Sequence, residues 1–166
     1  MDWSLLGFKG LFEVVNVHPV FVHFPIALFP ATLLFYFIGI VWRKENLLFA
    51  GRLCLFLTLI ASAITVWTGE LAEDSFSHSH ELHQIMLTHE KIGIGVLILA
   101  GVLFFWSFFT CEGRPKRPWL FLLGLVLATL MVLQNGDLGG RMVFVKGAGV
   151  KAAVPAEALP HEHHHH

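Results

Sequence analysis

Charge is scarce in this chain. Only 14% of its 166 residues are Asp, Glu, Lys or Arg, where a water-soluble domain carries about a quarter. Lipid penalises charge far more than water does, so the shortage describes the solvent around the protein. No acid or base falls near the middle of any long apolar segment, which argues against a proton pump or ion channel built on ionisable groups at depth. Cysteine is almost missing too. Cys54 lies inside one apolar run and Cys111 ends another. Neither has a second cysteine or a histidine at ligand spacing, so disulfide frameworks and zinc pairs are set aside and both read as buried small hydrophobes. No Cys-x-x-Cys-His motif is present, which excludes covalently attached c-type haem. Nucleophile–base sets, P-loops and dinucleotide fingerprints are lacking as well. A net charge of −1 gives no field that would gather nucleic acid.

What the chain has instead is apolar length. Hydrophobic residues make up 55% and mean hydropathy is +0.68. Four segments approach or exceed the roughly 20 residues a helix needs to cross a bilayer core: Val20–Trp42, Leu47–Trp67, Lys91–Thr110 and Pro118–Gln134, the last slightly short. Backbone groups find no partners in lipid, so these spans must be helices. Trp42, Trp67, Trp106 and Trp119 fall near their ends, where an indole prefers the headgroup layer. Arg52, a turn inside the second span, is expected to snorkel to the interface. Pro25 and Pro30 should kink the first span and free carbonyls that neighbours must satisfy. Gly93, Gly95 and Gly101 allow close approach to the third.

Loop charges set the expected orientation. Arg43 and Lys44 occupy the first loop, and Arg114, Lys116 and Arg117 the third. The second, Thr68–Thr88, has Glu70, Glu73, Asp74 and Glu81 and no lysine or arginine. The positive-inside rule puts loops one and three in the cytoplasm, with both termini and loop two outside it; Arg141, Lys146 and Lys151 in the tail are a mild counter-signal. Short connections favour antiparallel neighbours. The expected fold is therefore an all-α integral membrane four-helix up-down bundle. Residues 1–19 form an interfacial amphipathic segment without a signal-peptide pattern, 20–134 the bundle, and 135–166 a glycine-rich closing motif and tail. The terminal His161 and His163–His166 read as a purification tag or a native metal-binding tail and stay outside the mechanism.

The remaining six histidines are His18, His23, His78, His80, His83 and His89, all on the non-cytoplasmic side of this topology. His23 and His89 lie about a turn from the same ends of two spans that run in the same direction, hence at similar depth. Neutral imidazole is the commonest metal ligand and the usual axial ligand of haem iron. His18 with His23, and His83 with His89, are spaced too awkwardly to share a helix face. His80 and His83, at i and i+3, can share one. Histidines near helix ends also serve as caps or bond to carbonyls, so each alone has an ordinary structural explanation.

The run His18-Pro19-Val20-Phe21-Val22-His23-Phe24-Pro25-Ile26-Ala27-Leu28 resembles the opening of bacterial membrane proteins in the domain-of-unknown-function 2231 family. Three further matches follow in order: Thr68-Gly69, His89, and Gly139-Gly140-Arg141-Met142-Val143-Phe144 with Gly147-Ala148-Gly149-Val150. Together they cover residues 18–150. The resemblance implies a four-span protein, and the joining of some members to Rieske or c-type cytochrome modules implies respiratory electron transfer. This chain carries His23 where some members have a small or apolar residue. That makes His18 and His89 the more general pair and leaves the choice of ligands open.

The leading expectation is a b-type cytochrome-like electron-transfer subunit of the bacterial inner membrane, rather than a stand-alone enzyme. It would hold haem b with His23 and His89 as axial ligands, His18 and His83 as alternates or a second site, and Arg141 on a propionate. Its partners would be a quinol or membrane dehydrogenase and a periplasmic cytochrome or Rieske protein. The alternatives are a copper or zinc site made from His78, His80 and His83, with Glu81, and a cofactor-free accessory subunit of a respiratory complex.

Overall fold

A computed structural model of the chain describes residues 16–73, 79–109 and 114–149. Its helices are α1 (His18–Phe21), α2 (His23–Val41), α3 (Glu45–Glu73), α4 (His80–Phe108) and α5 (Pro118–Gly140), the last continued by a π-helical turn, Arg141–Val145. Four stretches, 18–41, 45–73, 80–108 and 118–145, are long and apolar enough to cross a membrane. No strand occurs among the described residues. The fold is the expected all-α four-helix bundle. α2 packs on α3 and α5, and α4 packs on the same two, so the helices form a closed square. The segment expected to lie in the interface falls, up to residue 15, outside the described residues.

Burial follows the solvent. Phe29, Tyr36, Leu55, Ala100, Leu103, Phe121, Leu125 and Ala128 fill the centre, while Phe49, Ile98 and Leu123 stay more than half exposed on the outside. Large exposed apolar side chains all round a bundle are what lipid requires of its outer surface. Trp42, Trp67 and Trp119 are exposed near the ends of the bundle, where the headgroup layer takes them.

Helix ends differ from the expected ones in an instructive way. α3 continues to Glu73 and α4 already starts at His80, so most of the expected second loop is helical. Ser79 caps α4, its hydroxyl accepting from the Leu82 N–H at 3.3 Å. Hydropathy marks where lipid ends, whereas a capped helix can run on into water. α5 likewise runs past Gln134 through Gly139 and Gly140 and carries Asp137 on its exposed side. The run closes where Gly147 and Gly149 adopt φ of +69° and +68°, a left-handed backbone that glycine takes without a Cβ clash. There the Gly147 and Ala148 N–H groups bond back to Val143 and Met142.

Pro25 acts on the first span through one carbonyl. It has no N–H for the Phe21 carbonyl, and its ring crowds that oxygen. The α-helical assignment lapses at the single residue Val22, between α1 and α2, although its backbone stays in the right-handed helical region. The freed Phe21 carbonyl accepts the Thr65 hydroxyl of α3 at 3.2 Å. α1, with His18 at its start, is thereby fastened to α3. The half-buried Arg52 reaches across with Nη2 to the Ser107 carbonyl in the last turn of α4 at 2.9 Å, where a cation favours the exposed carbonyls and the negative end of the helix dipole.

Candidate functional site

Each half of the chain brings one histidine to the same place. His18 comes from α1 and His89 from α4, the two sides of the square that do not pack on each other. Their ring centroids lie 6.0 Å apart with the planes at 86°. Both rings are half-buried, beside Thr68 of α3 and Asn135 of α5. All four walls of the bundle therefore meet at this point.

The hydrogen bonds fix which ring nitrogen carries the proton. His89 Nδ1 lies 3.0 Å from the Asn135 carbonyl. A carbonyl only accepts, so Nδ1 is the donor and a neutral ring keeps its lone pair on Nε2. His18 Nδ1 lies 3.3 Å from Thr68 Oγ1. That hydroxyl donates its own proton to the Thr65 carbonyl at 3.1 Å, so it accepts from His18 Nδ1–H. The second imidazole consequently also has its lone pair on Nε2. An imidazole tied through one nitrogen to an oxygen and open at the other is the usual state of a metal ligand, because the outer bond sets tautomer and orientation.

Glycines make the room. A Cβ at Gly69 of α3 would stand 3.2 Å from His18 Cε1, and one at Gly139 of α5 would stand 3.4 Å from His89 Cε1. Each ring rests on bare helix backbone of the neighbouring element. The repetition is regular: a histidine of α1 on a glycine of α3, and a histidine of α4 on a glycine of α5. Asn135 adds a buried side-chain oxygen, Oδ1, that has no hydrogen-bond partner among the described residues.

The other sequence candidates lie elsewhere. His23 is exposed on α2, so the structure pairs His89 with His18 and leaves His23 outside. His80 is exposed at the start of α4, and His83 is half-buried one turn on. His78, Cys111 and the terminal histidines lie outside the described residues. Arg141 is exposed on the π-helical turn, two residues beyond Gly139. No group of three or more His, Cys, Asp or Glu stands close enough to hold a metal ion among the described residues. Cys54 is buried, its Sγ 3.7 Å from the Leu28 carbonyl, as a small interior residue should be.

Thr65 and the Asn135 carbonyl were not marked by sequence reasoning. Main-chain acceptors leave no signature in a sequence. Thr65 had one weak signal, a hydroxyl one turn before the Thr68-Gly69 motif. A second polar group, of which the sequence marked only Arg52, sits towards the basic loops: buried Tyr36 packs on Phe121 at 4.7 Å and lies near Ser107 and Arg52.

Over residues 14–152 the chain matches the family described as predicted membrane protein (DUF2231). The chain belongs to that family. No curated protein and no solved structure matches it. The family's ordered motifs now have a spatial meaning, since His18, Thr68-Gly69, His89 and Gly139 are the residues in contact at this end of the bundle.

Proposed function

We propose that this membrane protein is a b-type cytochrome-like electron-transfer subunit that holds haem b between His18 and His89. The observation that carries the reading is the close approach of the two rings. A metal bonded to two imidazole nitrogens at about 2 Å each sets the ring centroids about 6 Å apart, and these stand at 6.0 Å. Both rings are anchored through Nδ1, leaving Nε2 for iron. Two protein ligands suffice for haem, whose macrocycle supplies the other four, whereas a closed zinc site needs four. The residues present fit that demand. Haem bound there would supply one-electron chemistry.

The chain's own groups have separable roles in this reading. Thr68 and the Asn135 carbonyl hold the tautomers and keep the rings from turning. Gly69 and Gly139 let the imidazoles sit against helix backbone. Arg141, close in sequence to Gly139, is the cation available to a propionate. The loop charges favour an orientation with this end on the periplasmic side of a bacterial inner membrane. There it would pass electrons from a quinol or membrane dehydrogenase to a periplasmic cytochrome or Rieske protein.

Expression with ample haem supply tests the reading. The purified protein should show a Soret band and a reduced-minus-oxidised α band. His18→Ala and His89→Ala should abolish both, and His23→Ala should leave them. A colourless, folded protein sinks the proposal, and bound copper at the same two histidines would replace it with a metal-binding one.

A further inference from the structure

Beside the histidine end, an open groove of about 550 Å³ runs between α4 and α5, lined by Ile92, Leu130, Met131, Leu133, Gln134 and Asp137. Its volume is in the range of small-molecule sites, about 300–1,000 Å³. Its chemistry is graded. Ile92, Leu130, Met131 and Leu133 make the part nearer the membrane interior apolar. Gln134 and Asp137, at i and i+3 on α5, bring an amide and a carboxylate to one side of that helix. Asp137 forms no ion pair among the described residues.

We infer that this groove binds a lipid-borne p-quinol, its hydroxyls on Asp137 and Gln134 and its isoprenoid tail along Leu130, Leu133 and Ile92. Three features select that occupant. The tail slot is open to lipid, so the ligand arrives from the membrane. A carboxylate accepts from a hydroxyl, whereas an anionic phosphate headgroup would meet it as a like charge. The groove also touches the redox site proposed above. Gln134 and Asp137 flank Asn135, whose carbonyl takes His89 Nδ1–H, and Ile92 lies one turn from His89. The inference rests on the haem reading for the use of a bound quinol, though binding itself requires no haem.

The test uses full-length protein in phosphatidylcholine nanodiscs, with a decyl-substituted p-benzoquinol measured by equilibrium dialysis. Wild type should bind it saturably. Asp137→Leu should weaken binding about tenfold to a hundredfold, the loss expected for a hydrogen bond to a charged group, and Gln134→Leu about two- to tenfold, as for a neutral one. Leu130→Trp should fill the slot and abolish binding. All three positions are exposed, so these variants should fold, and an unchanged melting temperature checks that they do. Unaltered affinity in Asp137→Leu and Gln134→Leu, or equal displacement by decanol or phosphatidylethanolamine, overturns the assignment. Quinol binding by a haem-free His18→Ala protein upholds the groove even where the haem reading has failed. Haem-loaded protein that binds no quinol removes the groove alone.

Discussion

The tautomer of His89 follows from a carbonyl that cannot donate, that of His18 from a hydroxyl whose proton goes to the Thr65 carbonyl, and both can be tested without any cofactor. Thr68→Val keeps the shape of the side chain and removes the hydroxyl that accepts His18 Nδ1–H. The bond is long, 3.3 Å, so it belongs near the lower part of the usual net value of about 0.5–1.5 kcal/mol. Removing that preference shifts the ratio of Nδ1–H to Nε2–H forms roughly two- to tenfold towards Nε2–H. His89 is the internal control, because its partner is a main-chain carbonyl that the substitution leaves in place. Thr68→Ser, which retains a hydroxyl, should behave as wild type.

Nitrogen chemical shifts of histidine-labelled protein in lipid bilayers, recorded near pH 8 so that ordinary imidazoles (pKa about 6.5) are neutral, report both tautomers. Signals are assigned by their loss in His18→Ala and His89→Ala. Wild type should show both rings predominantly protonated at Nδ1. Thr68→Val should move His18 alone. A wild-type His18 protonated mainly at Nε2, or a Thr68→Val spectrum identical to wild type, would refute the donor assignment on which the site is built.

The two glycine contacts differ by 0.2 Å, and the difference has a sign. Gly139→Ala brings its methyl to an ordinary 3.4 Å from His89 and gains about 1 kcal/mol of helix propensity, so the melting temperature in detergent should rise. Gly69→Ala brings its methyl to 3.2 Å from a ring fastened on two sides, where overpacking of about 1–3 kcal/mol offsets that gain; equal stabilisation by both would contradict the packing. Arg52→Leu removes the guanidinium donor to Ser107 and should destabilise by about 1.5–3 kcal/mol, measured by thermal unfolding, with wild-type stability counting against the capping role. Lys146→Met breaks the 2.7 Å pair with the largely exposed Glu81; water already screens that pair, so no change in melting temperature is expected.

The four spans were legible because lipid imposes one rule on every residue of a segment: apolar side chains outside and backbone bonds satisfied within it. The same rule obscured the helix ends. It reports the edge of the membrane, and α3, α4 and α5 pass that edge by one or more turns before Glu73, His80 and Gly140 bound them. Direction around the helix was not legible for the histidines. His23 shares the end of the bundle that holds His18 and His89, yet it is exposed on α2. His18, five residues earlier in the same span, is the one that lies against His89. Arg52 shows the same limit: its distance from the interface was readable, but not that the last turn of α4 would stand within its reach.

The regular pairing of histidine on glycine says when the site can exist. His18 is held by α3 alone, through Thr68 and Gly69, and His89 by α5 alone, through Asn135 and Gly139. Each half of the chain can therefore prepare its own imidazole, tautomer included, before the halves meet. The 6.0 Å approach of the rings appears only when α2 closes on α5 and α3 on α4. Anything that bonds to both Nε2 atoms binds the assembled bundle and neither half by itself, so it must stabilise the assembly by mass action. A ligand that reached only one histidine would stabilise one half and leave the closure of the square unaffected. Tightened association of the two halves is thus the physical mark that separates a bridging cofactor from a pair of structural histidines.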